Sequence, residues 1–496
     1  MASTSNSLEK KITGQRITQD SFFKEPVSHE EYTHFQVKYR VFCCLWAIAS
    51  IFHMANHNSF TLNLTYFLST LTAIALLAKP SSIARLLVFA LIQMYQAYSE
   101  MPDTSNHWVL AAFINLTIVQ SYLYLVVKRR SFHIDKAEFL NTFSPLVNLE
   151  LITLYFFAFF HKLNSGFFDP AASCAVRFLV LQNDYYNLLP TSKDVITLNI
   201  YLTILIEALI PILIVLGRTR RWGILLGLVF HCILAYNPLN GFYDFSATVF
   251  ALYFLLTDAS FSAIIKKIYG KLLEGKKLIK ERLASFNVLN FTLFAATLIV
   301  IMGLVHYYTR TDDYFRHLVW TGYSVTFIIL FLLSLKTSRQ ETQSKVFAGA
   351  HYSLYLFPVL VFLNGFCPYL GLKTETSYAM FSNLRTEGGK TNHFLVPVSS
   401  QIFNYQKDVV EIISSSDPFF QKLAAEQRQL VYFQFRKYVR KNKVQQVTYL
   451  RNGQEFSYAR GQSFTTHDLQ KKEHPVLEKL MLFRNFYKSE VQGCLH

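Results

Sequence analysis

The chain has 496 residues, of which 52% are hydrophobic and only 16% are charged, with a formal net charge of +16. A soluble protein carries roughly 25% charged residues, so this composition excludes an ordinary soluble domain and indicates a polytopic membrane protein. The excess of Lys and Arg is interpreted as membrane topology, because these residues concentrate in connections between apolar segments, and no nucleic-acid partner is predicted. The six cysteines form no CxxC pair and no zinc pattern, so no metal site is predicted.

Apolar segments long enough to cross a bilayer recur through most of the chain. The candidate spans are residues 38–56, 60–79, 83–99, 107–127, 146–163, 196–217, 222–238, 241–258, 288–307, 317–335 and 346–364. They predict an all-α polytopic transmembrane bundle of about 8–11 helices. Residues 1–34 are polar and lack the apolar core of a signal peptide, and they are predicted to form an N-terminal cytoplasmic tail.

Clusters of basic residues follow only the even-numbered candidate spans. They are Lys79 and Arg85, Lys128–Arg130, Arg218–Arg221, Lys266–Lys280, and Lys336–Lys345. The positive-inside rule places these connections in the cytoplasm, so the N-terminus is predicted inside and the C-terminus outside.

Residues 365–496 change character and predict a small C-terminal α+β extracytoplasmic domain. Val409–Ser414 is predicted to be a strand, and Asp417–Lys441 an amphipathic helix with Asp417 as its cap. Val444–Leu450 and Glu455–Ala459 flank Asn452-Gly453, which predicts a β-hairpin with an Asn-Gly turn.

Three residues capable of proton transfer lie at the predicted outer ends of separate spans: His107, Lys162 and His231. In an apolar pocket the charged form of an amine is disfavoured, and the neutral amine acts as a base while a nearby histidine donates or accepts a proton. Each residue also has a simpler interpretation. Lys162 could snorkel to water, His107 beside Trp108 could mark the interface, and His231 could bond a neighbouring helix.

Two carboxylates, Glu150 and Glu207, lie inside apolar segments, where an ionised side chain is costly. They are therefore predicted to face the bundle, as packing residues or as part of a proton path. Asn237 and Asp244 lie near the outer turn after His231 and are interpreted as turn residues.

Three short stretches resemble the vitamin K-dependent γ-glutamyl carboxylase family, within the wider horizontally transferred transmembrane domain family. They are Phe160-His161-Lys162-Leu163-Asn164, Ser105-Asn106-His107 and Phe230-His231-Cys232. The order and spacing also agree, and the similarity covers roughly residues 35–260 with a weaker continuation. The segment 364–389 resembles one found in bacterial members.

This resemblance implies a carboxylase-like transmembrane domain over residues 35–364 and an extracytoplasmic domain over 365–496. It implies that Lys162 deprotonates a reduced, vitamin K-like quinone, that oxygen adds, and that the resulting alkoxide removes a γ-proton from glutamate before CO2 adds. His231 is expected to contact the quinone, with Asn106, His107 and His161 in the same pocket. The implied co-substrates are O2 and CO2, without a metal. The implied setting is a lipid bilayer, the bacterial inner membrane, with a prenylated quinone and a protein or peptide substrate.

The chain departs from the family pattern at His161, where the carboxylase has Lys, and at Ser105, where it has Asn. The outer domain, about 130 residues, is also shorter than the animal one, which weakens the expectation of a peptide substrate more than that of quinone chemistry. Two alternatives stay open: a quinone-binding redox protein without carboxylation, and a non-enzymatic scaffold or transporter. Cys174 and Cys367 both lie on the predicted outer side, where they could form a disulfide or remain unpaired.

Overall fold

The computed structural model describes residues 29–56, 63–187, 189–237, 242–273, 313–337, 346–461, 469, 472–489 and 491–494. The predicted tail before residue 29 and the predicted span 288–307 lie outside these residues. The helices found within them, in chain order, are α1 (His29–Asn56), α2 (Leu64–Ala78), α3 (Ile83–Glu100), α4 (Asn106–Arg129), α5 (Lys136–Phe160), α6 (Ser165–Phe168), α7 (Cys174–Tyr186), α8 (Lys193–Val215), α9 (Arg220–Leu234), α10 (Tyr243–Leu256), α11 (Ala259–Leu273), α12 (Asp313–Thr337), α13 (Leu356–Leu370), α14 (Pro418–Ala425), α15 (Tyr432–Lys441) and α16 (Pro475–Leu480).

Helical segments long and apolar enough to cross a membrane number six within the described residues, or seven if the bent pair α10 and α11 forms one span. The six are Thr33–Ala55, Asn106–Arg129, Lys136–Phe160, Lys193–Val215, His317–Lys336 and Tyr352–Leu370. The described residues are therefore mostly helical and include several helices of the length and apolarity that a multi-pass membrane protein requires, as the composition predicts.

Every predicted span that falls on described residues overlaps a helix, although some bounds differ. The fifth helix begins at Lys136, ten residues before its predicted start. The Asp135 side chain caps it by accepting from the amides of Ala137 and Glu138, and its polar first turns hide it from a hydropathy search. The predicted span 346–364 is wrong by several residues, because α13 continues to Leu370 and ends at Gly371, which has a left-handed φ of 81°.

The bundle is built around α1, which packs against α2, α5, α10 and α11. Its inward face buries large aromatic side chains such as Phe42 and Trp46. The indole of Trp46 donates to Asn115 Oδ1 at 3.0 Å, so the interior polar group has a partner. At one end of the bundle, which holds the basic connections, Lys38 donates to the carbonyls of Leu255 and Thr257, each at 2.8 Å.

The C-terminal region contains an antiparallel five-stranded sheet in the order β4-β3-β1-β2-β5. The strands are β1 (Val409–Ser415), β2 (Arg428–Val431), β3 (Gln446–Arg451), β4 (Gln454–Ala459) and β5 (Phe486–Tyr487). Asn452 and Gly453 both adopt positive φ between β3 and β4, which confirms the Asn-Gly hairpin.

The single helix predicted over Asp417–Lys441 is wrong. Asp417 does cap a helix, but α14 ends after one short segment, and Gln427 then turns with a φ of 52°. Residues 428–431 form β2 instead, since they pair with β1 and extend the sheet. Helix α15 follows, and its buried residues include Phe435, which packs against Tyr449 of the sheet.

A disulfide joins the C-terminal region to the bundle, but its partners differ from the predicted pair. Cys174, at the start of α7, bonds Cys494 across a separation of 320 residues. Cys367 is free, and its thiol donates to the Leu363 carbonyl within α13. The pairing of Cys174 with Cys367 is therefore wrong, because the last described residues return to α7 while Cys367 lies in a spanning helix.

Candidate functional site

A cavity of about 1010 Å³ occupies the end of the bundle opposite the basic connections. Helices α1, α4, α5, α7, α8, α9 and α10 contribute to its sides, and segments 375–381 and 482–485 of the C-terminal region close it. Apolar side chains such as Leu154, Ile206 and Phe230 make up much of its wall. The predicted residues Asn106, His107, Lys162 and His231 all line this one cavity.

Lys162 lies in the turn that follows α5 and points into the cavity. Its ammonium lies 2.8 Å from Glu207 Oε2 of α8 and donates to the Ala158 carbonyl at 3.0 Å. The two side chains are only 7% and 12% exposed, so this lysine does not snorkel to water. Asn164 fixes the turn, because its amide oxygen accepts from the Phe167 backbone amide and its NH2 donates to the Ser382 carbonyl.

His231 lies near the end of α9 and belongs to a chain of aromatic hydrogen-bonding groups. Its Nε2 lies 2.6 Å from the Tyr155 hydroxyl, which also contacts the Tyr253 hydroxyl. Gly227 makes this arrangement sterically feasible, because a side chain there would collide with the Tyr253 ring. Nδ1 of His231 is buried and has no hydrogen-bond partner among the described residues.

His107 shares a carboxylate with a second histidine that the sequence reading did not identify. Nε2 of His107 lies 3.0 Å from Asp244 Oδ2, and Nδ1 of His53 lies 3.1 Å from the same oxygen. All three side chains line the cavity and are buried. Asp244 is thus more than the turn residue it was interpreted to be: it joins α10 to α1 and α4.

Asn106 and His161 hold the C-terminal region against the bundle. The Asn106 side-chain oxygen accepts from the Tyr378 backbone amide at 2.7 Å, so this cavity residue also fixes the segment that closes the cavity. His161 does not line the cavity, contrary to prediction. Its ring nitrogens lie 2.8 Å from the Tyr369 hydroxyl and 3.1 Å from the Ser377 carbonyl, because the helix turns it away from Lys162.

The C-terminal region contributes charged residues that the sequence did not single out. Arg484 lines the cavity with Glu375, and its Nε donates to Glu387 Oε1 at 3.1 Å. Burial alone lowers the pKa of Arg484, but the carboxylates of Glu387 and Glu375 outweigh it and raise that pKa above its ordinary value. Its Nη2 is buried and has no hydrogen-bond partner among the described residues.

Tyr155 is a cavity residue that the sequence analysis did not select, although its spacing from Lys162 could have identified it. Tyr155 precedes Lys162 by seven residues, about two helical turns, so a helix that continues to Lys162 would place both side chains on one face. In the structure α5 ends at Phe160 and Lys162 lies in the following turn, and both residues line the cavity. His53 and Arg484 had no such signal, because their neighbours in the cavity are distant in the sequence.

No family model, curated protein or solved structure matches this chain.

Proposed function

We propose that this chain is an integral membrane enzyme that oxygenates a reduced, prenylated quinone with Lys162 as its base, similar to the vitamin K-dependent carboxylases. The observation that carries the proposal is the convergence of Lys162, His107 and His231, from three separate segments, on one largely apolar cavity. An apolar pocket excludes water from a reactive base and accommodates a lipid-soluble substrate.

Glu207 gives Lys162 a route to its basic form. A buried ion pair bears a large desolvation cost. Transfer of the ammonium proton from Lys162 to Glu207 would remove that cost, because it leaves a neutral amine beside a neutral carboxylic acid. The neutral amine then takes the hydroxyl proton of the hydroquinone. The result is an ammonium at Lys162, a protonated Glu207 and a quinolate anion, which the adjacent ammonium stabilises.

His231 is suited to orient a quinone oxygen. If the Tyr155 hydroxyl donates to Nε2, then Nδ1 carries the proton of the neutral imidazole and donates it to a ligand. The unpartnered state of Nδ1 supports this role, because a buried donor without a partner costs free energy until a ligand satisfies it.

A lipid-soluble substrate has a lateral entry between α8 and α9. Leu202, Val229 and Ile233 line the cavity and are 44%, 40% and 60% exposed. Exposed apolar side chains at a cavity wall suit an opening toward the bilayer rather than toward water. A prenyl tail could therefore remain in lipid while the ring enters.

The opposite wall of the cavity contains one guanidinium group, paired with Glu387 through its Nε, whose Nη2 could bind an acidic second substrate. Arg484 offers a buried, unpartnered guanidinium nitrogen, and Asn485 lies beside it. An arginine presents paired donors that match a carboxylate. We therefore propose that a glutamate side chain of a protein or peptide approaches from the C-terminal region, with CO2 replacing its γ-proton, while hydroquinone and O2 become the epoxide and water.

The proposal places the cavity end outside the cytoplasm, in the bacterial inner membrane. The basic connections lie at the opposite end, where the positive-inside rule puts cytoplasmic loops. The disulfide between Cys174 and Cys494 also lies at the cavity end, and disulfides persist in oxidising compartments. A reporter fusion at residue 461 should show an extracytoplasmic location, and a cytoplasmic reporter signal would reverse the assignment.

The test is quinone turnover by the purified protein in lipid nanodiscs. Reduced phylloquinone and labelled CO2 are supplied with a glutamate-rich peptide, and epoxide and incorporated label are measured. Lys162→Met should abolish both signals, whereas Lys193→Met, an exposed lysine at the start of α8, should change neither.

Epoxide without label in the wild type would favour the quinone redox protein. Neither product, with no difference between the two lysine variants, would leave the non-enzymatic scaffold or transporter.

A further inference from the structure

Three potential metal ligands meet at one point of the cavity wall. His53 comes from α1, His107 from α4 and Asp244 from α10, and their ligand atoms all lie within 4.8 Å of one another. The proposed quinone chemistry assigns no role to His53 or Asp244. Two imidazoles and one carboxylate form a ligand set that divalent first-row transition metals favour.

The ligand separations suit a metal as well as a hydrogen bond. His53 Nδ1 and His107 Nε2 lie 3.1 Å and 3.0 Å from the same oxygen, Oδ2 of Asp244. Metal–ligand bonds of about 2.1 Å place adjacent ligand atoms about 3.0 Å apart in octahedral and about 3.4 Å apart in tetrahedral coordination. Both imidazoles therefore approach one atom at the separation that two neighbouring positions of a coordination sphere require.

The ligands are held in place by their surroundings. The His53 ring stacks on Trp108, with ring centroids 3.6 Å apart and planes 10° apart. The other oxygen of Asp244 accepts from the Phe245 backbone amide at 2.7 Å, which fixes the carboxylate and leaves Oδ2 toward the histidines. Such fixed ligands reduce the ordering cost of binding an ion.

We propose that His53, His107 and Asp244 bind one divalent first-row transition metal ion, of the Fe²⁺ or Zn²⁺ class. Because all three side chains line the cavity, the remaining coordination positions of the ion face the cavity interior. This goes beyond the proposed function, which requires no metal. It gives the cavity a second chemical centre that is separate from the Lys162–Glu207 pair.

The test is binding of Co²⁺, a spectroscopic substitute for both ions, to chelator-treated full-length protein in detergent. We expect one Co²⁺ per chain and a visible d–d absorption band of Co²⁺ coordinated by nitrogen and oxygen. His53→Gln and Asp244→Asn should each weaken binding at least about 100-fold, because each removes a direct ligand. His133→Gln, an exposed histidine in the connection before α5, is the matched control and should bind like the wild type.

Lys162→Met separates this inference from the proposed function, because it should abolish quinone turnover and still bind one Co²⁺. If the ligand variants do not fold, the wild type alone decides: Zn²⁺ should raise its melting temperature and saturate at one equivalent. The site would be overturned if the wild type does not bind stoichiometric Co²⁺ or does not show that Zn²⁺ response. It would also be overturned if the ligand variants bind Co²⁺ as well as His133→Gln does.

Discussion

The two ends of the bundle each bury a lysine, and the contrast between them shows what distinguishes a site from a structural contact. Lys38 donates to two carbonyls near the end of α10, in packed surroundings outside the cavity. Lys162 faces a titratable carboxylate, Glu207, and lines a cavity of about 1010 Å³. A buried amine is therefore not by itself a functional signal. The open space and the proton-accepting partner make the difference.

Replacement of each lysine by methionine is the strongest test of this contrast. Lys162→Met should reduce quinone turnover about 1000-fold, because the amine proposed to take the hydroquinone proton is lost. Lys38→Met should keep turnover within about threefold of wild type but lower the melting temperature, since two buried carbonyls lose their donor. Equal losses of turnover, measured as epoxide formed in nanodiscs, would remove the distinction between the two ends.

Removal of the disulfide between Cys174 and Cys494 should give the next largest effect, a loss of stability. Cys494→Ser should lower the free energy of unfolding by about 3 kcal/mol, because the bond to Cys174 closes a very long loop. The loss of stability is measured by thermal melting of wild type and variant, with and without reductant. Reductant should lower the melting temperature of the wild type and have no effect on the variant. Cys367→Ser is the control, because its thiol bonds only a carbonyl of its own helix in the described structure. An equal loss in the control would contradict the assignment.

A third buried lysine, Lys373, isolates the effect of burial without a cavity. Burial lowers the pKa of Lys373 to about 8, although the nearby Cys367 raises it in part. The unfolded chain binds a proton more strongly than the folded one between about pH 8 and the ordinary lysine pKa of about 10.5, so wild-type stability should rise with pH across that window.

Lys373→Met should consequently stabilise the protein at pH 7 by about 2 kcal/mol, even though a hydrogen bond to Thr376 is lost. The gain should shrink as pH rises toward 10.5, as melting curves at several pH values would show. Lys441→Met, at an exposed position, should leave the pH profile of the wild type unchanged. If the stability gained by Lys373→Met did not change with pH, ionisation of Lys373 would not be the cause of that gain.

The smallest expected effect is on quinone turnover, after replacement of Glu207, which forms an ion pair with Lys162. Glu207→Gln should lower turnover about tenfold, because the amide still accepts a hydrogen bond from the ammonium but no longer takes its proton. Glu150→Gln is the matched control, a buried glutamate that bonds Thr117 outside the cavity lining, and its turnover should stay within about twofold of wild type. Equal losses in both variants would argue against Glu207 as a proton acceptor.

The sequence predicted most of the bundle because membrane crossing imposes a long apolar segment that is visible locally. It also predicted that Lys162, His107 and His231 share one side, since their depth follows from span number and direction. It missed α7 and placed the start of α5 too late, because both segments carry polar residues that hydropathy treats as loops.

Contacts between segments that are distant in the chain could not be predicted from the sequence. Cys174 could be assigned a side of the membrane but not a partner, since nothing local indicates that residue 494 returns to α7. His161 looked equivalent to Lys162, yet the two residues follow the end of α5 with their side chains in different directions, and only Lys162 reaches the cavity. Asp244 met His53 across 191 residues, a contact that no spacing rule reveals.

The wall formed by residues 482–485 has a consequence for biosynthesis. A nascent chain that has inserted all the helices up to α13 still lacks Arg484 and its neighbours, so its amine and imidazoles face an unfinished chamber. The proposed chemistry would therefore become available only after translation has passed these residues and the distal segment has docked. A chain terminated before residue 482 could insert normally and still be inert.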